Sequence, residues 1–184
     1  KGGGVVIHWG ELQPHDSHSL DSDKVQSLIQ ETRKNAGKKV YLHFQIYGGI
    51  SADVMPAWLK VNNYKKNDWP KTIPDEDDDK IQMIYKLDHF SGGEAIWTGM
   101  PVPWGKEYHG FLKNFLQLLD QKFKDNGVGN LIEYIEPAVG GKWGTTHLWG
   151  ISDEQKAMWV EKAGCRPGDY RCFGQKFNEG INAI

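Results

Sequence analysis

The residues best suited to chemistry are a carboxylate that ends an apolar run and a group of aromatic residues that follows it. Glu136 closes the run 131–136, and Trp143, His147 and Trp149 lie in the next segment, which is rich in glycine. A carboxylate transfers protons when its environment tunes its pKa, and indole rings offer flat apolar faces to a ligand. This pattern predicts a binding or catalytic site formed by a strand end and the loop behind it.

Three further polar residues are candidate ligand contacts, and one carboxylate competes with Glu136. Glu133 is that competitor, three residues earlier and directed to the other side of the strand. Glu11 follows an apolar run and is placed either to bind a ligand hydroxyl or to cap or pair within its own loop. His43 and Gln45 share the polar side of an alternating run, where they either contact a ligand or are satisfied inside the protein.

No metal or cofactor site is predicted. His8, His15 and His18 have no further ligand at a convincing spacing, so solvated loop histidines are expected. The acidic segment 75–79 offers calcium its preferred carboxylate oxygens, but it lacks the spacing and the glycine of an EF-hand loop. A solvated acidic turn is therefore expected there.

The two cysteines, Cys165 and Cys172, are too few for a structural zinc site, which takes four ligands. The intervening residues include Pro167 and Gly168, which turn the chain back and make a local disulfide sterically reasonable. A disulfide implies an oxidising compartment, and so a secreted or extracellular protein. Two unpaired thiols are the alternative.

Composition excludes two classes of partner. The 184 residues carry a net charge of -2, which gives no basic footprint for nucleic acid, and they contain no apolar run of the roughly 18 residues that a membrane span needs. Eight Trp residues are many for this length. They predict either rings that line a cleft or large anchors in the core.

Apolar periodicity predicts the elements that position these residues. The β-branched run Val5–Trp9 predicts a buried strand, and 39–47 predicts a strand with one apolar and one polar side. Further predicted elements are a helix from Asp21 or Ser22 to Gly37, a strand at 80–85, a helix at 106–124 stopped by Asn126-Gly127, a strand at 131–136 ended by Pro137, and helices from Ser152 and from Phe173. This alternation predicts an α/β protein with parallel strands.

Several of these segments resemble motifs of retaining glycoside hydrolases built on a (β/α)₈ barrel. The turn Trp9-Gly-Glu-Leu-Gln-Pro14 is similar to their Trp-x-Glu-x-x-Pro turn, and Met55-Pro-Ala-Trp-Leu59 is similar to their Pro-x-Trp-Leu loop. Pro103-Trp104 resembles their aromatic entry to the following helix. The residues 140–147 resemble their Gly-x-Trp-Gly-x-x-His loop after the fourth strand.

The resemblance implies a partial TIM-type barrel with a long inserted hairpin region. Only about three strand–helix units are visible, whereas a complete barrel takes about 250 residues. We therefore expect residues 1–184 to form one partial domain covering about strands two to four, with 60–98 as an insertion. Both ends look like cuts, and further chain segments are expected to complete the barrel. A complete small α/β protein is the alternative.

The resemblance also implies an activity on an oligo- or polysaccharide. Glu136 is the expected acid/base, and Glu11, His43, Gln45, Trp143, His147 and Trp149 are the expected substrate contacts. Retaining enzymes need a second carboxylate about 5–5.5 Å away, which the resemblance places on a later strand. Thr145-Thr146 stands where related loops carry a glutamate, so a non-catalytic carbohydrate-binding or structural glycoprotein is the alternative. A third reading is a self-assembling extracellular component in which other chains complete the sheet.

Overall fold

The computed structural model describes residues 3–35, 38–45, 55–59, 63–65, 83–88, 96–102, 104–138 and 153–182. Its strands are β1 (Gly3–His8), β2 (Val40–Gln45), β3 (Asn63–Lys65), β4 (Met83–Asp88), β5 (Ile96–Pro101) and β6 (Ile132–Ala138). Its helices are α1 (Trp9–Leu12), α2 (Ser22–Lys34), α3 (Lys106–Asp125), α4 (Asp153–Lys162) and α5 (Tyr170–Asn182). Short 3₁₀ turns lie at Ala57–Leu59 and Gly129–Leu131.

Three strands form a parallel sheet in the order β1-β2-β6. The chain passes through α2 between β1 and β2, and through α3 between β2 and β6. Register neighbours share a face of the sheet because successive side chains alternate between faces. Val5 pairs with Leu42 and Ile7 with Phe44, so these residues lie on one face. Val6 pairs with His43, which lies on the opposite face.

The two faces of this sheet differ in burial. Leu42 and Phe44 are buried among the residues of the hydrophobic core, which identifies their face as the covered one. Val6 is 55% exposed and Tyr134 is 54% exposed, and both lie on the other face. We call that second face the open face. Parallel sheets are ordinarily covered on both sides, so an open face is unusual for this class of sheet.

Helices α2 and α3 are amphipathic and contribute apolar residues to the core. Asp21 is the N-cap of α2, and its side chain accepts a hydrogen bond of 2.9 Å from the backbone N–H of Lys24. The buried side of α2 carries Val25, Leu28, Ile29 and Thr32. The end of α3 is closed by Gly127 at φ +68°, with its N–H bonded to the carbonyl of Lys124 and the N–H of Val128 bonded to that of Phe123. This is the Schellman arrangement, and it confirms the predicted stop at Asn126-Gly127.

Aromatic rings hold the core together. Phe115 of α3 stacks on Phe44 of β2 at a centroid distance of 5.1 Å and contacts the buried Trp9 ring at 5.5 Å. A second aromatic group joins α5 to the segment before α3, because the Phe173 ring packs edge-on against Trp104 and Trp159. In the described part of the chain, Trp9 and Trp159 are therefore core anchors rather than cleft rings.

A second sheet of three antiparallel strands has the order β3-β5-β4. All three strands begin inside the predicted insertion 60–98, although β5 continues to Pro101. The strand predicted at 80–85 is observed at Met83–Asp88.

The predicted partial (β/α)₈ barrel is wrong. The described residues contain a small sheet of three parallel strands, a separate antiparallel sheet and five helices. Closure of a barrel requires each edge strand to find a neighbour, whereas β1 and β6 are the outer strands of this sheet. Motif order along the chain indicates which elements follow one another, but it carries no information about closure, and this is why the prediction failed.

Two predicted boundaries are also corrected. The strand predicted to end at Trp9 ends at His8, and Trp9 begins the single turn α1. Pro137 was expected to end the strand but lies within β6, in register with Phe44. A proline is tolerated there because β6 is an outer strand of the sheet, where one side of the backbone needs no ladder hydrogen bond. Gly37 and Ser152 lie outside the described residues.

Candidate functional site

The sheet brings the polar residues of three strands together at the carboxyl ends of β1, β2 and β6. His8 pairs in register with Gln45, and His43 pairs with Glu136. Register neighbours share a face, so all four positions lie on the open face. His43 and Gln45 are half-buried, and each interacts with a neighbour. The structure therefore groups three of the predicted site positions, and it adds His8.

The turn after β1 is built around a buried indole. The Nε1–H of Trp9 donates a hydrogen bond of 2.8 Å to Oε1 of Gln13, and both side chains are fully buried. The indole N–H of Trp58 donates to the backbone carbonyl of Gln13 at 2.9 Å. These bonds fix the single turn α1, which carries Glu11. The segment 9–14 is thus a structural support, and Glu11 is its accessible polar group.

Glu11 lies within ion-pair distance of two basic side chains. Its Oε2 lies 3.2 Å from Nδ1 of His8, and its Oε1 lies 3.9 Å from Nζ of Lys24. Nδ1 is thus the ring nitrogen of His8 that faces this carboxylate. Glu11 thus pairs with one residue of β1 and one residue of α2, and its role as a ligand contact stays a prediction. Its carboxylate is still 40% exposed and accessible to a ligand.

Two tyrosines extend the open face toward the amino ends of the strands. Tyr41 of β2 and Tyr134 of β6 are register neighbours, and their rings stack at 5.6 Å with an interplanar angle of 11°. Both are exposed. The Tyr41 ring also covers Gly4, where a Cβ would lie 2.5 Å from the tyrosine Cζ. Glycine at this position is therefore what lets the ring lie across β1.

The sequence did not single out these tyrosines. Tyr41 was recognisable from alternation, because it shares the polar side of its strand with His43 and Gln45. Tyr134 was recognisable in the same way, because it lies two residues before Glu136 and shares its side of the strand. The sequence did not indicate that the pairing of β2 with β6 shifts by one residue between Val40 and Tyr41, which places Tyr134 beside Tyr41. Such an irregularity changes which face a residue occupies, and nothing local in the sequence reports it.

The competing carboxylate Glu133 lies at the other end of the strand. Glu133 is the second residue of β6, near the amino end of the strand. It is the residue that the register skips, because Val40 pairs with Ile132 and Tyr41 pairs with Tyr134. Its Oε2 is 3.7 Å from Nζ of Lys39, which also donates to the carbonyl of Asn130. Glu133 is therefore part of a surface ion pair, whereas the Glu136 position lies beside His43 on the open face.

Trp143, His147 and Trp149 lie outside the described residues, as does the acidic segment 75–79. Thr145-Thr146, the departure from the related loops, lies outside them as well. The geometry of the site is thus defined by the strand ends, by α1 and by the two tyrosines.

The predicted disulfide is confirmed, since Cys165 and Cys172 are bonded and their Cα atoms are 5.9 Å apart. The turn before it is set by Gly164 at φ +70°, whose N–H bonds to the carbonyl of Glu161. The N–H of Cys165 bonds to the carbonyl of Val160, which completes a second Schellman closure. The end of α4 therefore positions the first cysteine.

The loop histidines lie in an exposed turn that Asp16 organises. Its carboxylate accepts hydrogen bonds from the backbone N–H groups of His18 and Ser19 and from the Ser19 hydroxyl. The bond from the His18 backbone, followed by that from the Ser19 side chain, lowers the pKa of Asp16 below its ordinary value. Across the described ranges, no three His, Cys, Asp or Glu side chains converge as metal ligands would.

Comparison of the chain with protein-family models, with curated proteins and with solved structures gives no match. Among the helices of the described ranges, none combines the length and the apolar character that crossing a bilayer requires.

Proposed function

We propose that this protein binds an oligo- or polysaccharide on the open face of its parallel sheet, toward the carboxyl ends of β1, β2 and β6. The observation that carries the proposal is the register, which sets the His43 and Glu136 positions beside each other and next to Gln45. A sugar hydroxyl both donates and accepts hydrogen bonds. An imidazole, an amide and a carboxylate together supply both functions.

The stacked tyrosines support a carbohydrate in particular. A pyranose ring has apolar C–H faces, which pack on aromatic surfaces. Tyr41 and Tyr134 form such a surface within the same face, two residues along each strand from His43 and Glu136. That separation is about 6.6 Å at the rise of a strand. An apolar platform beside polar groups matches a sugar better than it matches an ion or a purely apolar ligand.

We propose that the protein acts outside the cell. The Cys165–Cys172 disulfide is compatible with a secreted protein, because such bonds persist in oxidising compartments. The similarity of the segments at 9–14, 55–59 and 140–147 to glycoside hydrolase motifs gives separate support for a carbohydrate ligand.

Calorimetric titration with cello-, xylo-, manno- and chitohexaose tests this function. Tyr134→Ala is expected to weaken the tightest of these interactions at least tenfold, which corresponds to about 1.4 kcal/mol. Tyr170→Ala is the matched control, because Tyr170 on α5 has the same 54% exposure but lies away from the sheet. The proposal fails if none of the four sugars binds, or if the two tyrosine variants lose affinity equally.

Retaining glycoside hydrolysis is the second candidate, with Glu136 as acid/base. It is favoured by the position of Glu136 near the carboxyl end of β6, on the same face as His43. For any hexaose that is cleaved, Glu136→Gln is expected to lower kcat by about 10²–10⁴-fold while binding is retained. Glu133→Gln is the control and leaves kcat unchanged. Tight binding without turnover assigns the non-catalytic alternative instead.

A further inference from the structure

A cleft of about 370 Å³ lies along the outer side of β1, between this strand and α2. Four consecutive residues of the strand line it, Val5 to His8. Alternate side chains point to opposite faces of a sheet, so a cavity that touches four residues in a row faces the strand edge-on. On its other side β1 pairs with β2, and within the described ranges no strand pairs with this outer edge.

An outer strand edge presents backbone N–H and C=O groups that favour a further strand. Here the edge is not blunted by the usual devices, since β1 reads Gly-Gly-Val-Val-Ile-His and contains no proline, lysine or inward charge. Leu28 of α2 lines the cleft beside Val5 and Ile7. An added strand would thus gain apolar contacts on the covered face as well as ladder hydrogen bonds.

The side of α2 that borders the cleft has a self-complementary pattern. Lys24 and Glu31 lie at its two ends, seven residues or about 10.5 Å apart, with Ser27 and Leu28 between them. A two-fold axis perpendicular to the sheet makes two copies of β1 antiparallel and also makes two copies of α2 antiparallel. In that arrangement Lys24 meets the partner's Glu31 and Glu31 meets the partner's Lys24, with the small and apolar pair at the centre.

We infer that the outer edge of β1 is the interface of a symmetric dimer, in which two copies of this chain join their parallel sheets into one six-stranded sheet. Each residue of an antiparallel pair meets a residue of its own face. Two registers satisfy this condition. In one, Val5 faces the partner's Val5 and Val6 faces the partner's Gly4; in the other, Val5 faces the partner's Ile7 and Val6 faces the partner's Val6. A two-fold contact of this kind closes on itself and forms no filament. The inference does not rest on the proposed sugar site, although His8 and Glu11 border both regions.

Reversing the two charges tests the dimer. The full-length chain is expected to show a concentration-dependent monomer–dimer equilibrium in analytical ultracentrifugation. Lys24→Glu and Glu31→Lys each place like charges together, and each should weaken the dimer at least tenfold, or about 1.4 kcal/mol. The double variant restores opposite charges at both contacts and is expected to recover the wild-type constant. Lys124→Glu, which breaks a comparable surface pair with Asp120 on α3, should have no effect.

The variants are expected to fold, because the pairs that they break within one chain are exposed and contribute little to stability. These are Lys24 with Glu11, and Glu31 with Lys34. Hydrogen exchange gives a second readout, in which amides of β1 become protected as protein concentration rises. The inference is overturned by a monomer at every concentration, by β1 protection that does not depend on concentration, or by a double variant that is weaker than either single one.

Discussion

At the scale of single residues, the feature that decides most about the site is the buried pair Trp9 and Gln13. Both side chains are fully buried, and the indole N–H has its acceptor in the amide oxygen of Gln13. The amide nitrogen of Gln13 has no hydrogen-bond partner among the described residues. A buried polar group is stabilising only when it is paired, so the bond between the Trp9 indole and Gln13 is the side-chain contact of this turn that is most costly to lose. Glu11, which faces the cleft, is positioned by that bond.

Gln13→Met should lower the free energy of unfolding by about 1–3 kcal/mol, because it keeps the side-chain volume but leaves the Trp9 N–H buried without an acceptor. Urea denaturation followed by tryptophan fluorescence measures this change. Gln26→Met is the matched control on the exposed side of α2, where a change within about 0.5 kcal/mol is expected. Equal effects of the two substitutions would show that the Trp9 hydrogen bond is unimportant.

At the scale of elements, the positions at which the helices begin and end follow from the local sequence. The Asn126-Gly127 stop and the Asp21 cap were both predictable, because each depends on residues within one turn of the helix end. Alternation similarly separated Leu42 and Phe44, which are buried, from Tyr41 on the other face. The shift between β2 and β6 was not predictable, because it arises from a pairing between segments about 90 residues apart.

Two glycines, one inside α3 and one just after it, allow the effect of helix propensity on stability to be measured separately from the effect of turn geometry. Gly110 lies inside α3 with no atom within 4 Å of the position that a Cβ would take, so Gly110→Ala should stabilise the protein by about 0.5–1 kcal/mol. Gly127 has equal space but a φ of +68°, so Gly127→Ala should destabilise it by about 1 kcal/mol. Chemical denaturation of both variants checks the opposite signs. Two changes of the same sign would mean that the Schellman closure is not the constraint on Gly127.

At the scale of the whole molecule, the candidate site follows from a sheet with one covered and one open face. The polar side of β2 was predicted correctly as the side that carries His43 and Gln45, and the parallel strands place Glu136 beside them. The barrel was the wrong extrapolation from the same elements. Strand closure depends on the number and edge pairing of strands, and neither follows from the local motifs that suggested it. The site thus depends on how these three strands pair, and that pairing does not require a closed barrel.

The covered face of the sheet packs into one continuous hydrophobic core. The disulfide joins the two C-terminal helices that contribute to this core, α4 and α5. Cys165 and Cys172 join the end of α4 to the start of α5 across a separation of seven residues. Trp159 and Phe173 on these helices contact each other, and Phe173 contacts Trp104 ahead of α3. Loosening the α4–α5 turn should therefore weaken the whole core rather than release one helix. Two helices attached only to each other would instead melt alone.

Reduction of the Cys165–Cys172 bond should lower stability by about 2.5 kcal/mol, the loop-closure entropy of so short a loop. For a chain of this size that corresponds to a fall in Tm of roughly 5–10 °C. Differential scanning calorimetry with and without dithiothreitol measures it, and the Cys165→Ala/Cys172→Ala variant is the control in which the reductant changes nothing. The continuous core predicts that the transition moves as a single peak. If a small early transition separates from an unmoved main one, α4 and α5 form an independent unit and the core is not cooperative.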